Sequence, residues 1–320
     1  NPNTGKSTVF NSLTGLKQHT GNWPGKTVTN AKGKYIHQQR SFILVDLPGT
    51  YSLFANSVDE EVARDFICSG EPKVTVVVTD ATCLERNLNL VLQVMEITDN
   101  AVLCVNLLDE ARRKKIQVDL PALSEILGVP VVGTNARDGV GLRELKDAVY
   151  QVAMGEVINK PLQVRYGDPV ETCLEMLEPF VKGIVDKNIN SRWVALRLLE
   201  ANRDTDNWPL QFPFLKLNND SEILATLQAA DRLLLQAGLN RDALRDHIVT
   251  CIVKQAEEIA QRVLSCEKQH YNIVDRRIDS VLTSKVWGIP VMIALLGLVF
   301  WITIKGANYP SQVLATGLFW

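Results

Sequence analysis

The sequence predicts an α/β domain built on a mainly parallel sheet with flanking helices, followed by an all-helical domain and a transmembrane helix. Three observations carry this. Up to about residue 150, short β-branched runs alternate with helical stretches, as in strands joined by crossover helices. Beyond residue 168 the β pattern stops and 3.6-residue periodicity takes over. Near the C-terminus, residues 286–304 carry no charge and are long enough to cross the ~30 Å hydrocarbon core of a bilayer.

Each element has its own signal. Candidate strands lie at 41–45, 74–78, 101–105 and 129–132; their runs are continuously apolar, which suits strands covered on both faces. Helices are expected at 7–13, 88–97, 120–127 and 142–152, with a short antiparallel edge strand near 27–36. Gly, Pro and polar residues at 155–169 read as a linker. In the second half, 193–199, 222–237 and 243–264 are helical; Leu244, Ile248, Ile252, Ile259 and Val263 share one stripe of the last. Trp287 and Trp301 sit near the ends of the 286–304 run, as interfacial aromatics do, and Arg276, Arg277 and Lys285 precede it, which places the N-terminal portion on the cytoplasmic side. The expected divisions are 1–155, a linker at 156–168, a helical domain at 169–280 and the start of a membrane domain at 281–320.

Composition excludes several classes. Lys+Arg 34 against Asp+Glu 36 leaves a net charge of -2, so nucleic acid is not the expected partner. Six cysteines without a C-x-x-C pair argue against a disulfide scaffold or zinc knuckle. Asn1 falls inside a candidate phosphate loop and Trp320 inside an apolar run, so the chain is expected to be a fragment of a longer protein.

Four loops carry chemistry. Asn1-Pro2-Asn3-Thr4-Gly5-Lys6-Ser7, continued by Thr8, fits the end of G-x-x-x-x-G-K-[ST]. Its backbone N–H groups would cradle phosphates at a helix N-terminus, Lys6 would meet the β- and γ-phosphates, and the Ser7 hydroxyl would ligate Mg²⁺. Asp46-Leu47-Pro48-Gly49 follows a strand; Asp46 can hold Mg²⁺ and Gly49 lets its N–H approach the γ-phosphate. Asn106-Leu107-Leu108-Asp109 follows the next-but-one strand, where the Asp109 carboxylate can accept from guanine N1–H and its exocyclic amine; adenine would leave that buried Asp unpaired. Thr134-Asn135-Ala136 comes after the following strand, where a backbone N–H could meet guanine O6. A doubly wound sheet puts all four at its C-terminal edge. The fold class is therefore that of a P-loop GTPase.

With the switch sequence Gly25-Lys26-Thr27-Val28-Thr29, the motifs resemble the translation-factor-related GTPases. They resemble the ferrous-iron transport protein B family more closely, through Gly21-Asn22-Trp23-Pro24-Gly25, Asp46-Leu47-Pro48-Gly49-Thr50-Tyr51-Ser52-Leu53, Leu84-Glu85-Arg86-Asn87-Leu88 and Trp287-Gly288-Ile289-Pro290. The resemblance implies a GTP- and GDP-binding, Mg²⁺-dependent GTPase in which Thr27 closes on Mg²⁺ and the γ-phosphate. It also implies that Asn3 holds a K⁺ against the phosphates with carbonyls of residues 21–25; the alternative for Asn3 is a loop spacer or helix cap. Asn3, Lys6, Thr27 and Gly49 are thus the expected catalytic set. No glutamine follows Gly49, so hydrolysis is expected to be slow.

By the same resemblance, the helical domain would slow GDP release, and the whole protein would be a homo-oligomer in the plasma membrane, passing Fe²⁺ through a membrane domain in the lipid bilayer with small accessory Feo proteins. A soluble GTPase of ribosome or tRNA maturation and a slowly hydrolysing nucleotide-responsive module remain the alternatives. Asn135 stands where Ser or Ala is commoner, and Lys26 where an apolar residue is.

Overall fold

The computed structural model describes residues 1–15, 18–22, 29–54, 57–69, 72–183, 189–201, 221–266, 289–290 and 292–303. Residues 1–266 form one compact unit and 267–320 a second. In chain order the elements are α1 (Lys6–Thr14), β1 (Gln18–Asn22), β2 (Thr29–His37), β3 (Arg40–Asp46), α2 (Val58–Ser69), β4 (Thr75–Asp80), α3 (Leu84–Ile97), β5 (Ala101–Asn106), α4 (Leu108–Arg113), β6 (Ile116–Val118), α5 (Leu120–Leu127), β7 (Val131–Gly133) and α6 (Leu142–Met154). The helical part holds α7 (Asp168–Lys182), α8 (Ser191–Glu200), α9 (Ser221–Gln236) and α10 (Arg241–Val263), closed by a short β8 (Leu264–Cys266).

β4, β5 and β7 form a parallel sheet with β5 in the middle. Every residue of β5 is buried, as its unbroken apolar run requires. Its side chains divide by strand periodicity: Val102 and Cys104 join α1 and α6 on one face, while Ala101, Leu103 and Val105 join α3 and α5 on the other. β1, β2 and β3 make a separate antiparallel sheet. The antiparallel strand expected at an edge near 27–36 is instead its central strand, β2. The β2–β3 hairpin turns on Gln38 and Gln39, both at positive φ (47° and 61°), the backbone that a two-residue hairpin turn matched to strand twist needs.

The helical part contains one strand after all. β8 pairs antiparallel with β6 of the first domain, Gln117 opposite Ser265, so the last helix stops at Val263. The larger core is continuous from α3 and α5 through Leu174, Leu177, Trp193, Leu227 and Ile252 of the helices. Of residues 156–168, expected as a linker, Asp168 already begins α7, and the stretch before it is hydrogen-bonded along the first domain: Lys160 N donates to Gly128 O (3.0 Å) and Leu162 N to Leu127 O (3.0 Å).

At the junction a polar cluster sits beside this core. The Tyr166 hydroxyl donates to Glu96 of α3, Tyr166 N donates to Glu171 (2.8 Å), and Arg192 grips both Glu171 oxygens at 2.8 and 2.9 Å. Glu96 lines a cavity of 480 Å³ whose walls include Asp99, Lys160, Glu178 and Trp193. Burial pushes the Glu96 carboxyl up to about 7, against the opposing pull of its Tyr166 hydrogen bond and of Arg197 and Arg192.

The expected membrane span at 286–304 falls partly within the described residues. Residues 289–290 and 292–303 are helical, and among the described residues no helix is long and apolar enough to cross a membrane. Residues 286–288, 291 and 304 of that run lie outside the described residues. The apolar side chains along it, including Met292, Leu296, Phe300 and Trp301, are exposed.

The Glu96 environment makes stability pH-dependent. A carboxyl raised from its ordinary 4.5 to about 7 holds, in the folded chain, a proton that the unfolded chain has released. This stabilisation is complete below about pH 4.5 and lost as pH rises through about 7. Burial raises Glu200 as well, with the same sign. Urea midpoints measured from pH 4.5 to 8 should therefore decline less steeply in Glu96→Gln than in the parent chain; parallel profiles would contradict the assignment.

Candidate nucleotide site

The phosphate loop opens helix α1. Thr4 Oγ1 donates to Asn1 O (3.1 Å), closing the loop on itself. Asn3 adopts a left-handed backbone (φ 60°) and is exposed, and Gly5 follows at φ 78° as the residue before the helix. Gly5 is required twice over: its φ suits glycine, and a Cβ there would collide with the Asn106 amide nitrogen. Gly5 provides the cap position, so the helix-cap alternative for Asn3 is excluded. No side chain caps α1, and its first-turn N–H groups and dipole face the loop. Ser7 and Thr8 are exposed on that turn.

The Asp46 loop comes to the same place. Lys6 Nζ donates to the Asp46 carboxylate and to Leu47 O (2.6 Å), so the two groups expected at phosphate and metal meet directly. Gly49 lies against the phosphate loop; a Cβ on it would stand 3.4 Å from Pro2 Cα. Beyond Gly49, Thr50 is buried, and the Tyr51 ring lies 4.3 Å under the Arg86 guanidinium. Leu53 N donates to Gln93 Oε1 (2.7 Å), and Ser52 Oγ donates to the same oxygen (3.2 Å).

The base loops are joined by one side chain. Asn106, 1% exposed at the end of β5, donates through Nδ2 to Thr4 O (3.0 Å). Its Oδ1 accepts from Thr134 Oγ1 (3.0 Å) and from Ala136 N (3.1 Å). Leu107 then takes a left-handed φ of 62° to start α4, with Leu108 its first residue and Asp109 in its first turn. Asn135 Oδ1 accepts from Asp109 N (3.0 Å), tying the two loops together from the other side.

Two expectations need correction here. Asp109 is not buried: its side chain is 39% exposed, and Arg113, one turn on in α4, donates to it at 2.7 Å. That hydrogen bond holds the Asp109 carboxyl below the usual range. The penalty for an unpaired Asp109 is thus smaller than for a buried carboxylate. Secondly, the loop's backbone donors are engaged within the protein: Thr134 N with Val105 O (2.8 Å), Asn135 N with Val140 O (3.1 Å) and Ala136 N with Asn106. In this structure these N–H groups hold the loop rather than face a base. Thr29 begins β2, while Gly25, Lys26, Thr27 and Val28 lie outside the described residues.

Sequence reasoning missed three residues. Arg113 was legible as the partner four residues after Asp109 on one helix face. Asn87 and Gln93 were not: both are buried polar residues on α3, and their links to the phosphate loop and to the loop after Gly49 join residues remote in sequence. Asn87 Oδ1 accepts from Asp80 N (3.0 Å), its Nδ2 donates to Cys83 O (3.0 Å), and its carbonyl accepts from Asn1 Nδ2 (3.3 Å).

Fold and site together define a P-loop GTPase-like domain followed by a helical domain. Residues 1–149 match the family model described as ferrous iron transport protein B, and 166–265 that of the FeoB cytosolic helical domain. The cytosolic domain of the T. maritima FeoB iron transporter in GDP form II matches with TM-score 0.65 and 30% identity, covering 82% of this chain and 96% of that one. The L. pneumophila FeoB cytosolic domain matches at 0.67 and 28%, over 83% and 97%. The chain belongs to the ferrous iron transport protein B family. A Porphyromonas gingivalis fusion of Fe(2+) transport protein A with the Fe(2+) transporter FeoB is 31% identical over all of this chain and 38% of its own length. The Salmonella typhimurium Fe(2+) transporter FeoB is 30% identical over 97% and 39%. The chain therefore spans less than two fifths of the length of these relatives.

Asn106→Ala removes a buried amide with three hydrogen bonds and leaves Thr4 O and Ala136 N without it. It should destabilise the chain by about 2–4 kcal/mol, measured by urea unfolding, and loosen nucleotide binding in the same protein.

Proposed function

We propose that this chain binds GTP and GDP across the phosphate loop and the start of α4, and hydrolyses GTP slowly. The observation that carries this is the Asn106 amide, which unites the loop suited to phosphates with the loops suited to the base. Asn1, Pro2, Asn3, Thr4 and Gly5 wrap the phosphates; Lys6 exchanges Asp46 for the terminal phosphates. The oxygen donors of Ser7 and Asp46, adjoining an uncapped helix start, suit a hard cation, and with Thr27 they would hold Mg²⁺, which neutralises phosphate charge when bound. Asp109 accepts from guanine. A water oxygen forms the new bond to the γ-phosphorus as the β–γ bridging bond breaks, and GDP departs.

Neither side chain after Gly49 is a glutamine that could orient this water: Thr50 is buried and the Tyr51 ring is stacked against Arg86. Slow turnover follows, and K⁺ held by Asn3 would supply the missing positive charge. Asn3 is exposed on its left-handed turn, which leaves its side chain accessible to an ion beside the phosphates.

In the full-length protein the chain would be the cytoplasmic part of a ferrous-iron transporter of the plasma membrane, its nucleotide state gating or driving Fe²⁺ passage. The relatives' names support this reading, and the fusion in P. gingivalis supports a small accessory Feo protein as partner. A homo-oligomer in the lipid bilayer completes it.

Calorimetric titration should show GTP and GDP binding and ATP binding at least tenfold more weakly; equal affinities would sink the reading. Asp109→Asn should weaken GDP about 10–100-fold, the loss of a charge-assisted pair to the base. Single-turnover hydrolysis should be faster in K⁺ than in Na⁺, and Asn3→Ala should abolish that difference while leaving the Na⁺ rate near its parent value.

A further inference from the structure

Helix α3 touches three things at once. At its start, the Asn87 carbonyl accepts from Asn1 of the phosphate loop. On the same first turn Arg86 stacks on the Tyr51 ring, and further along Gln93 accepts from Ser52 and Leu53, three and four residues beyond Gly49. At its end, Glu96 accepts from the Tyr166 hydroxyl, and Ile97 O accepts from Asn190 N (2.9 Å), the cap residue of α8 in the helical part.

Gln93 is the unusual member. With Asn87 it is one of two buried polar residues on a helix whose neighbouring inward positions, Leu88, Val91, Leu92 and Met95, are apolar. A buried amide is retained at a cost unless it is bonded, and here its oxygen takes two donors from one loop. Ser52 Oγ also accepts from Phe54 N (3.2 Å), so the loop's fold around Gln93 is closed on itself. Gly49 at the other end of the loop lies on Pro2. The loop thus runs from Gln93 at one end to the phosphate loop at the other. Three residues further along the same rigid helix, Glu96 makes the bond to Tyr166, and His247 of α10 contacts the Tyr166 carbonyl at 2.6 Å.

We propose that Gln93 is a positioning residue of the GTPase reaction, fixing the Gly49–Leu53 loop through its amide oxygen, and that α3 couples this loop to the helical domain through Glu96 and Tyr166. The inference rests on the GTPase reading above. It does not place Gln93 on the nucleotide: Gln93 acts only through Ser52 and Leu53. The chain of contacts is contiguous and made of discrete hydrogen bonds, a route along which energetic coupling between two sites can be tested.

The test uses the full chain and two readouts, steady-state GTP hydrolysis (kcat and KM) and dissociation of a fluorescent GDP. Gln93→Leu keeps the bulk and removes the acceptor; it should lower kcat about tenfold with KM within about twofold, the pattern of lost positioning rather than lost binding. Gln93→Glu keeps an acceptor oxygen in place and should restore kcat to within about threefold of the parent. Tyr166→Phe should change GDP dissociation about threefold or more in the parent but by less than about 1.5-fold in a Gln93→Leu background, since coupled residues are not additive. If Gln93→Leu does not fold, Ser52→Ala removes one of the two donors and should lower kcat about threefold with KM unchanged. Unaltered kcat in Gln93→Leu (or in Ser52→Ala where that substitutes), no recovery in Gln93→Glu, or strictly multiplicative effects of Gln93→Leu and Tyr166→Phe would overturn the proposal while GTP hydrolysis by the parent still stood. A parent chain that neither binds nor hydrolyses GTP would remove both readings.

Discussion

The amide of Asn106 is where the first domain is joined. β5 is the buried centre of the parallel sheet, and Asn106 is its last residue, so this side chain emerges with almost no rotational freedom and no access to water. An amide in that position must bond completely or destabilise the fold. It does so by giving its nitrogen to the phosphate loop and its oxygen to the loop after β7. The consequence reaches beyond stability. Gly5 must be glycine because the amide occupies the space a Cβ would need, and Thr134, fully buried, owes its place to the same oxygen. Three loops from three separate strand–helix units thereby become one surface.

Beside this junction the two domains share apolar interior rather than merely touching. The core that packs under α3 and α5 runs without a break into α7, α8, α9 and α10, and β8 adds a pairing with β6. A connection of this kind transmits displacement, because close-packed interiors rearrange discretely rather than deform. It also explains the polar cluster at Glu96, Tyr166, Glu171 and Arg192. Charged groups at the margin of a shared core are costly singly and tolerable only as a bonded set. The cluster therefore specifies one relative placement of α3 and the helical part, where apolar contact alone would permit sliding.

How much of this was legible beforehand varies with the origin of each signal. The strands at 101–105 and 41–45 and the helices at 120–127 and 142–152 declared themselves through local periodicity, and the order of the four loops followed from their spacing. α7 did not. Pro179 within it argues against a helix locally, yet Val170, Cys173, Leu174 and Leu177 are completely buried against neighbours that fold alongside it. Burial outweighed propensity there. β6 and β8 are three residues each, too short for any pattern, and exist because each supplies the other's partner. The assumption that Asp109 is buried failed for a similar reason: exposure is a property of what surrounds α4, not of the tetrad Asn106–Asp109.

The sequence by itself determined which chemical groups are present and in what order along the chain: the lysine and hydroxyl after a glycine, the aspartate closing one strand, the asparagine closing another. Those are local facts, set by residue type and by periodicities of 2 and 3.6. Only the tertiary structure decided what those groups do to one another. Lys6 meets Asp46, Asn106 holds Thr4 and Ala136, Asn135 holds Asp109, and Gln93 holds the loop beyond Gly49. Each pair is separated by tens of residues or more, and hydrogen bonding is decided over about 3 Å of space rather than along the chain. Composition and spacing carry no information at that range until the core has closed.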